Sequence, residues 1–283
     1  MQSGSANLLT GTENASKVMA GILEYFKLEP HEAGKLRDLS AADLLAAQVA
    51  VTPREAGMGY APVVDGVVVT RSPYEAVASG DFAGMPMLAG TCADEMKLFA
   101  FMEPGVFQLD EAGLLARANA LTGGRGAEAI ALYTAGRESR GEPVTPFEVY
   151  EAIATDSAMR APVARMVATQ SAHAPNVFSY LFTHQSVALG GLLGACHAID
   201  LPFVFGTQEL EAMKALAGEG PAVDALAEHV MDAWIAFAKT GNPGHEGLPA
   251  WPAYEPMRRA TMLLGPECTV VDAPLERERA FWG

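Results

Sequence analysis

Glu95 and His197 stand out for where they lie in the chain. Glu95 follows the apolar run PMLAGT, residues 86–91, in the turn T-C-A-D-E-M. A short apolar run bounded by turn signals reads as a strand buried on both faces, and reactive groups in open α/β sheets gather where the carboxyl ends of such strands meet loops. His197 sits in GACHAIDLPFVFG, a loop of small residues leading into an apolar run, with Asp200 just beyond it. A carboxylate that orients an imidazole is the acid and base of a nucleophilic hydrolase. A lone glutamate after a strand also serves to favour a helix N-terminus, and a lone histidine is often structural, so these two positions by themselves leave both readings open.

The elements that must hold these residues are legible in the hydrophobic pattern. Val18, Ile22, Tyr25 and Phe26 recur at helical spacing, and DLSAADLLAAQVAV reads as a second helix with Ser40 as N-cap and Asp43 in its first turn. Asp65-Gly66 separates two β-branched runs in the manner of a hairpin turn, and PYEAVASG reads as a short helix closed by Gly80. Residues 110–172 are Ala-rich with breaks at Gly123-Gly124, Gly141 and Pro143, the pattern of an inserted helical layer. VFSYLFT, residues 177–183, reads as a second central strand. Val223, Leu226, Val230, Trp234 and Phe237 form a helical stripe between Pro221 and Gly241, and CTVVDA reads as a short strand near the end.

Composition narrows the function classes. The 283 residues suffice for one large α/β domain or two small ones, and a chain of this size buries roughly 75% of its unfolded surface. Nineteen basic against 34 acidic residues give a formal net charge of −15, which repels a phosphate backbone. The densest basic clusters, Arg258-Arg259 and Arg277 with Arg279, lie beside acids, so nucleic-acid binding is not expected. Cys92, Cys196 and Cys268 are far apart with no C-x-x-C pair, which indicates neither a zinc site nor a disulfide scaffold and reads as buried free thiols. Met166 to Ile199 carries no Asp, Glu, Lys or Arg, yet Gln170, His173, Pro175, Asn176, His184 and Gln185 interrupt it well before the roughly 18 to 20 apolar residues a helical span needs. The first residues, MQSGSANLLTGTEN, have no basic or apolar export region, so a cytoplasmic location is expected.

Several pieces carry a family resemblance: QSGSA at the start, PVVDG, GTCADEMKLF, VFSYLFT, GACHAIDLPFVFG, and AWIAFAKTGNPGHEGLPAWPAYEP. The most specific are the G-T-x-x-D-E turn and the H-A-x-x-x-P-F-V-F-G loop. In this order, over most of the chain, they resemble the C-terminal portion of a type B carboxylesterase, the serine esterase family that includes the cholinesterases and bacterial p-nitrobenzyl esterases. Acid before histidine also agrees with the Ser…Asp/Glu…His order of α/β-hydrolases. The resemblance implies an incomplete α/β-hydrolase fold, the C-terminal part of the central sheet plus a helical cap layer. Residues 1–283 would then be a single partial domain with a helical insertion at about 110–172. It further implies that Glu95 is the triad acid and His197 the general base, that Asp200 supports the histidine loop, and that Ser3 lies behind the triad. No metal or cofactor is required, and the expected substrates are small to medium uncharged esters, because nothing in the sequence resembles a clamp for a strong anion.

One departure from the family bears on activity. Its nucleophile sits in a G-x-S-x-G elbow, with the oxyanion hole further upstream, and no G-x-S-x-G occurs in the 283 residues. Ser5 has Ser3 two before it and Asn7 two after, with no room for a preceding strand. Cys196 is no substitute, because neighbouring side chains diverge. The chain alone is therefore expected to lack triad-dependent esterase activity. Absent N-terminal strands would leave an unpaired sheet edge and an apolar face, to be met by a complementary N-terminal chain or by self-association. Two competing readings are a non-catalytic, cholinesterase-like interaction module and a truncated gene product.

Overall fold

The run MLAGTC forms strand β3 (Met87–Cys92), in which every residue but the first is buried. The structure, a computed structural model, describes residues 1–4, 9–51 and 60–283. Two units are distinguished, Ala6–Ala76 and a larger one made of Met1–Ser5 and Val77–Gly283.

In the larger unit β3 pairs in parallel with β4 (Val177–Phe182), β4 with β5 (Ala260–Leu264), and β5 in antiparallel fashion with β6 (Thr269–Asp272). Gln2 extends the pairing on the other side of β3: Ser3 N–H donates to Gly90 O at 2.9 Å, and Gly90 N–H to Met1 O at 3.2 Å. Side chains alternate across the sheet. Leu88, Cys92, Phe178, Tyr180, Phe182, Met262 and Leu264 face one core, closed by α9 (Leu201–Val204) and α11 (Pro221–Thr240). Of the predicted stripe of α11, Val223, Leu226 and Val230 are buried, each worth about 1.5–3 kcal/mol, while Trp234 and Phe237 pack against the same core only partly buried. Ala89 and Val177 face the opposite way, against Val163 and Val167 of α8 (Ala161–Ser171). Gly90 lies opposite Tyr180, where a Cβ would sit 2.2 Å from the Tyr180 carbonyl oxygen and 2.5 Å from its ring. Only glycine lets the tyrosine ring lean over β3.

The helical layer consists of α5 (Glu111–Thr122), α6 (Gly126–Arg140), α7 (Pro146–Thr155), a π turn (Asp156–Arg160) and α8. Asp110 caps α5 by accepting from the Gly113 amide at 2.7 Å, and Thr145 caps α7, whose first residue is Pro146. Leu114, Ala118, Tyr133, Val149 and Ile153 form the layer's own core, joined by Phe281 of α12 (Glu276–Trp282).

The smaller unit holds α1 (Thr12–Tyr25), a 3₁₀ helix (Pro30–Asp38) and α2 (Ala41–Val51). Ser40 caps α2 as predicted, its Oγ 3.1 Å from the Asp43 amide. The hairpin expected at Asp65-Gly66 is not formed. β2 (Val63–Val64) instead pairs in parallel with β1 (Thr10–Gly11). The Asp65 carboxylate accepts from the amides of Val67, Val68 and Val69 at 2.9, 2.9 and 3.1 Å. Those amides are satisfied locally, so the second β-branched run has no ladder to join. α3 (Pro73–Ala78) ends as predicted, with Gly80 in the left-handed region at φ 79°.

Candidate active site

Strand β3 delivers its chain into the turn at residues 93–96, and Glu95 in that turn is completely buried. Its Oε1 accepts from the Cys92 amide at 2.6 Å and from the Ser3 hydroxyl at 2.5 Å, while Oε2 lies 2.6 Å from His197 Nδ1. Three donors converge on one carboxylate, which meets the hydrogen-bonding needs of a group withdrawn from water. The imidazole that gives Nδ1–H to Glu95 keeps its lone pair on Nε2, the nitrogen a general base uses. Hydrogen bonding to Glu95 raises the His197 pKa above its ordinary value, against the opposing effect of partial burial. The His197 side chain is 31% exposed, and Phe99 of α4 (Lys97–Ala100) lies against it with ring centroids 5.3 Å apart.

The histidine loop is latched to the acid turn. Asp94 N–H donates to Ala195 O at 2.9 Å, Ala195 N–H donates to Asp94 Oδ2 at 2.8 Å, and His197 N–H reaches Glu95 O at 3.3 Å. Gly194 has φ 55°, and a Cβ there would sit 2.4 Å from Asp94 Oδ2. Two non-glycine residues at the site are left-handed, Ser3 at φ 46° and Ala198 at φ 67°. Such conformations cost on the order of 1–2 kcal/mol each and persist only where surrounding contacts fix them.

Asp200 is also buried but does not touch the imidazole: its Oδ2 accepts from Gln2 Nε2 at 3.0 Å and from the Tyr180 hydroxyl at 3.2 Å. Burial pushes the Asp200 carboxyl up from its ordinary value, with Glu95 adding to the effect. Of the residues singled out in the sequence, Ser3, Glu95 and His197 are therefore joined directly, and Asp200 stands beside them. Gln2, Asp94, Phe99 and Tyr180 were not picked out. Tyr180 had a detectable signal, a hydroxyl within an apolar strand that must find a partner. Cys196 is buried, which pushes its thiol up to about 11 and keeps it protonated at neutral pH. Ser5 lies outside the described residues. Among the described residues no three His, Cys, Asp or Glu side chains cluster to hold a metal ion, and no helix is long and apolar enough to cross a membrane.

The model of the carboxylesterase family matches residues 1–282. The para-nitrobenzyl esterase of Bacillus subtilis (strain 168) is 32% identical over 284 residues, covering 99% of this chain and 55% of that protein. The phenmedipham hydrolase of Pseudarthrobacter oxydans is 29% identical over 223 residues, covering 78% of this chain and 43% of its own. A carboxylesterase of Geobacillus stearothermophilus solved at pH 6.2 superposes over all of this chain and 57% of its own, with a TM-score of 0.84 and 35% identity. The chain thus spans about half the length of the curated relatives it matches. The fold is that of the α/β-hydrolases, and the chain belongs to the carboxylesterase family.

Proposed function

We propose that this chain supplies the acid and the general base of a Ser-Glu-His triad that hydrolyses carboxylic esters, with a serine and oxyanion hole contributed by polypeptide outside these 283 residues. The observation that carries the reading is the run Ser3–Glu95–His197, two short hydrogen bonds on the two oxygens of one buried carboxylate. His197 Nε2 takes the proton from the attacking serine and returns one to the leaving alcohol, and Glu95 stabilises the imidazolium formed between. Ser3 is not that nucleophile, because its hydroxyl is committed to Glu95. Small uncharged esters suit a site whose nearby cation, Lys97, is already paired with Asp94 and Glu148. The relatives' names, a para-nitrobenzyl esterase and a phenmedipham hydrolase, point the same way. On this reading residues 1–283 are one partial α/β-hydrolase domain with residues 110–172 as its helical insertion.

The test is intact-mass analysis of the folded chain after treatment with an active-site-directed fluorophosphonate, alone and co-expressed with a family polypeptide that carries the elbow. Loss of a nucleophile costs on the order of 10⁶ in kcat in a comparable serine hydrolase, so the chain alone is expected to show neither adduct nor turnover. The co-expressed pair forms one adduct and hydrolyses p-nitrophenyl acetate, and His197→Ala abolishes both. A single adduct on the chain alone, abolished by prior heating, would overturn the division of labour.

A further inference from the structure

The turn that carries Glu95 is held on two sides. From the sheet side it is fixed by Ala93 N–H to Phe182 O at 2.9 Å and by the Asp94–Ala195 latch. From the helical layer, Arg160 donates from a terminal guanidinium nitrogen to Ala93 O at 2.5 Å, and the Thr155 hydroxyl oxygen accepts from the Met96 amide at 3.1 Å. These contacts bracket Glu95, one two residues before it and one immediately after. Each helix residue is in turn anchored. Thr155 Oγ1 donates to the buried Glu151 at 2.7 Å. Arg160 pairs with the buried Asp156 at 2.9 Å, and Asp156 accepts from Tyr133, whose oxygen accepts from Trp282 Nε1 at 2.7 Å.

The π turn makes this bracket possible. In a regular α-helix five residues advance about 500°, which would leave positions 155 and 160 roughly 140° apart on the helix surface. The wider i→i+5 winding over Asp156–Arg160 brings them toward one face, where both meet the same turn. The acid turn thus has its backbone groups on that side satisfied by side chains rather than by water.

We propose that Thr155 and Arg160 are positioning residues for the acid–histidine pair, and that the π turn between them exists to set the carboxylate of Glu95 at hydrogen-bond distance from His197. The proposal rests on reading Glu95 and His197 as acid and base. Neither Thr155 nor Arg160 touches the imidazole; both act through the backbone of residues 93–96.

The test is an NMR pH titration of the His197 ring in the whole chain, comparing wild type with Glu95→Gln, Thr155→Val and Thr155→Ser. Glu95 and Asp200 are the charged groups that raise the His197 pKa, and they are left in place in both Thr155 variants. Thr122→Val serves as control, because among the described residues the Thr122 hydroxyl donates to Ala118 O of its own helix. The expected result is a His197 midpoint lowered by about half a pH unit in Thr155→Val, restored in Thr155→Ser and unmoved in the control. An unmoved midpoint in Thr155→Val, or one that serine does not restore, overturns the proposal. An unmoved midpoint in Glu95→Gln overturns the acid–base reading instead, so the two failures are distinguishable. Should Thr155→Val not fold, hydrogen exchange of the Met96 amide in wild type decides: slow exchange supports the bracket and fast exchange overturns it.

Discussion

Glu95 Oε2 lies 2.6 Å from His197 Nδ1, and the carboxylate that makes this contact is wholly withdrawn from water. A buried charge is tolerated only where enough donors meet it, and here an amide, a hydroxyl and an imidazole do so. Glu95→Gln removes the charge and leaves partial burial as the main influence on the ring. The His197 midpoint is expected to fall from above its ordinary value to at or below it. In wild type the raised midpoint means that His197 contributes stability in full below about pH 6.5, lost as pH rises through the folded value. That segment of the pH–stability curve should vanish in Glu95→Gln, as urea unfolding at pH 5.5 and 8.5 would show.

Ser3 combines a short hydrogen bond with a left-handed backbone. Ser3→Ala is expected to lower stability by about 1.5–3 kcal/mol, the worth of a hydrogen bond to a charged group. Ser3→Gly loses the same bond but relaxes φ, so it should be more stable than Ser3→Ala by about 1 kcal/mol. Equal urea midpoints for the two variants would show that the backbone at Ser3 carries no strain.

Much of this arrangement could be read in the sequence. β3, β4 and α11 follow from runs and stripes of apolar residues, and the turn of Glu95 and the loop of His197 follow from their family motifs. β5 did not stand out, because ATMLL is five residues of mixed propensity and a short apolar run does not distinguish strand from buried helix. The hairpin expected at Asp65-Gly66 does not form because a side chain that captures three amides competes with a ladder, and spacing alone does not show which wins. Tyr180 and Gln2 meet at Asp200 from distant parts of the chain, and the π turn between Thr155 and Arg160 has no signature in residue order.

Gly194 meets the acid turn where no side chain fits. Gly194→Ala places a methyl group 2.4 Å from Asp94 Oδ2 at φ 55°, so the latch must shift. A loss of about 2–4 kcal/mol is expected from strain and displaced hydrogen bonds together. A change below about 0.5 kcal/mol, within the range of neutral surface substitutions, would mean that the loop adapts freely.

Glu151 is buried in α7, and burial together with the nearby Asp94 pushes its carboxyl up to about 8. The folded state holds that proton more tightly than the unfolded state does. Its contribution is therefore complete below about pH 4.3 and is lost as pH rises through 8. Urea midpoints at pH 6 and 9 should drop in wild type and change less in Glu151→Gln. Parallel curves for the two proteins would place the charge of Glu151 elsewhere.

The Ser3–Glu95 and Glu95–His197 bonds join residues 92 and 102 positions apart. A chain growing from its amino end can fold β3 and much of the helical layer before residue 197 has been added. Non-local bonds of this kind must first close a long loop, so they generally form after local helices. Glu95 therefore passes an interval of biosynthesis without its imidazole. The Glu95–His197 bond is thereby among the later contacts the folding chain can make, since it needs both the turn after β3 and the loop that carries His197.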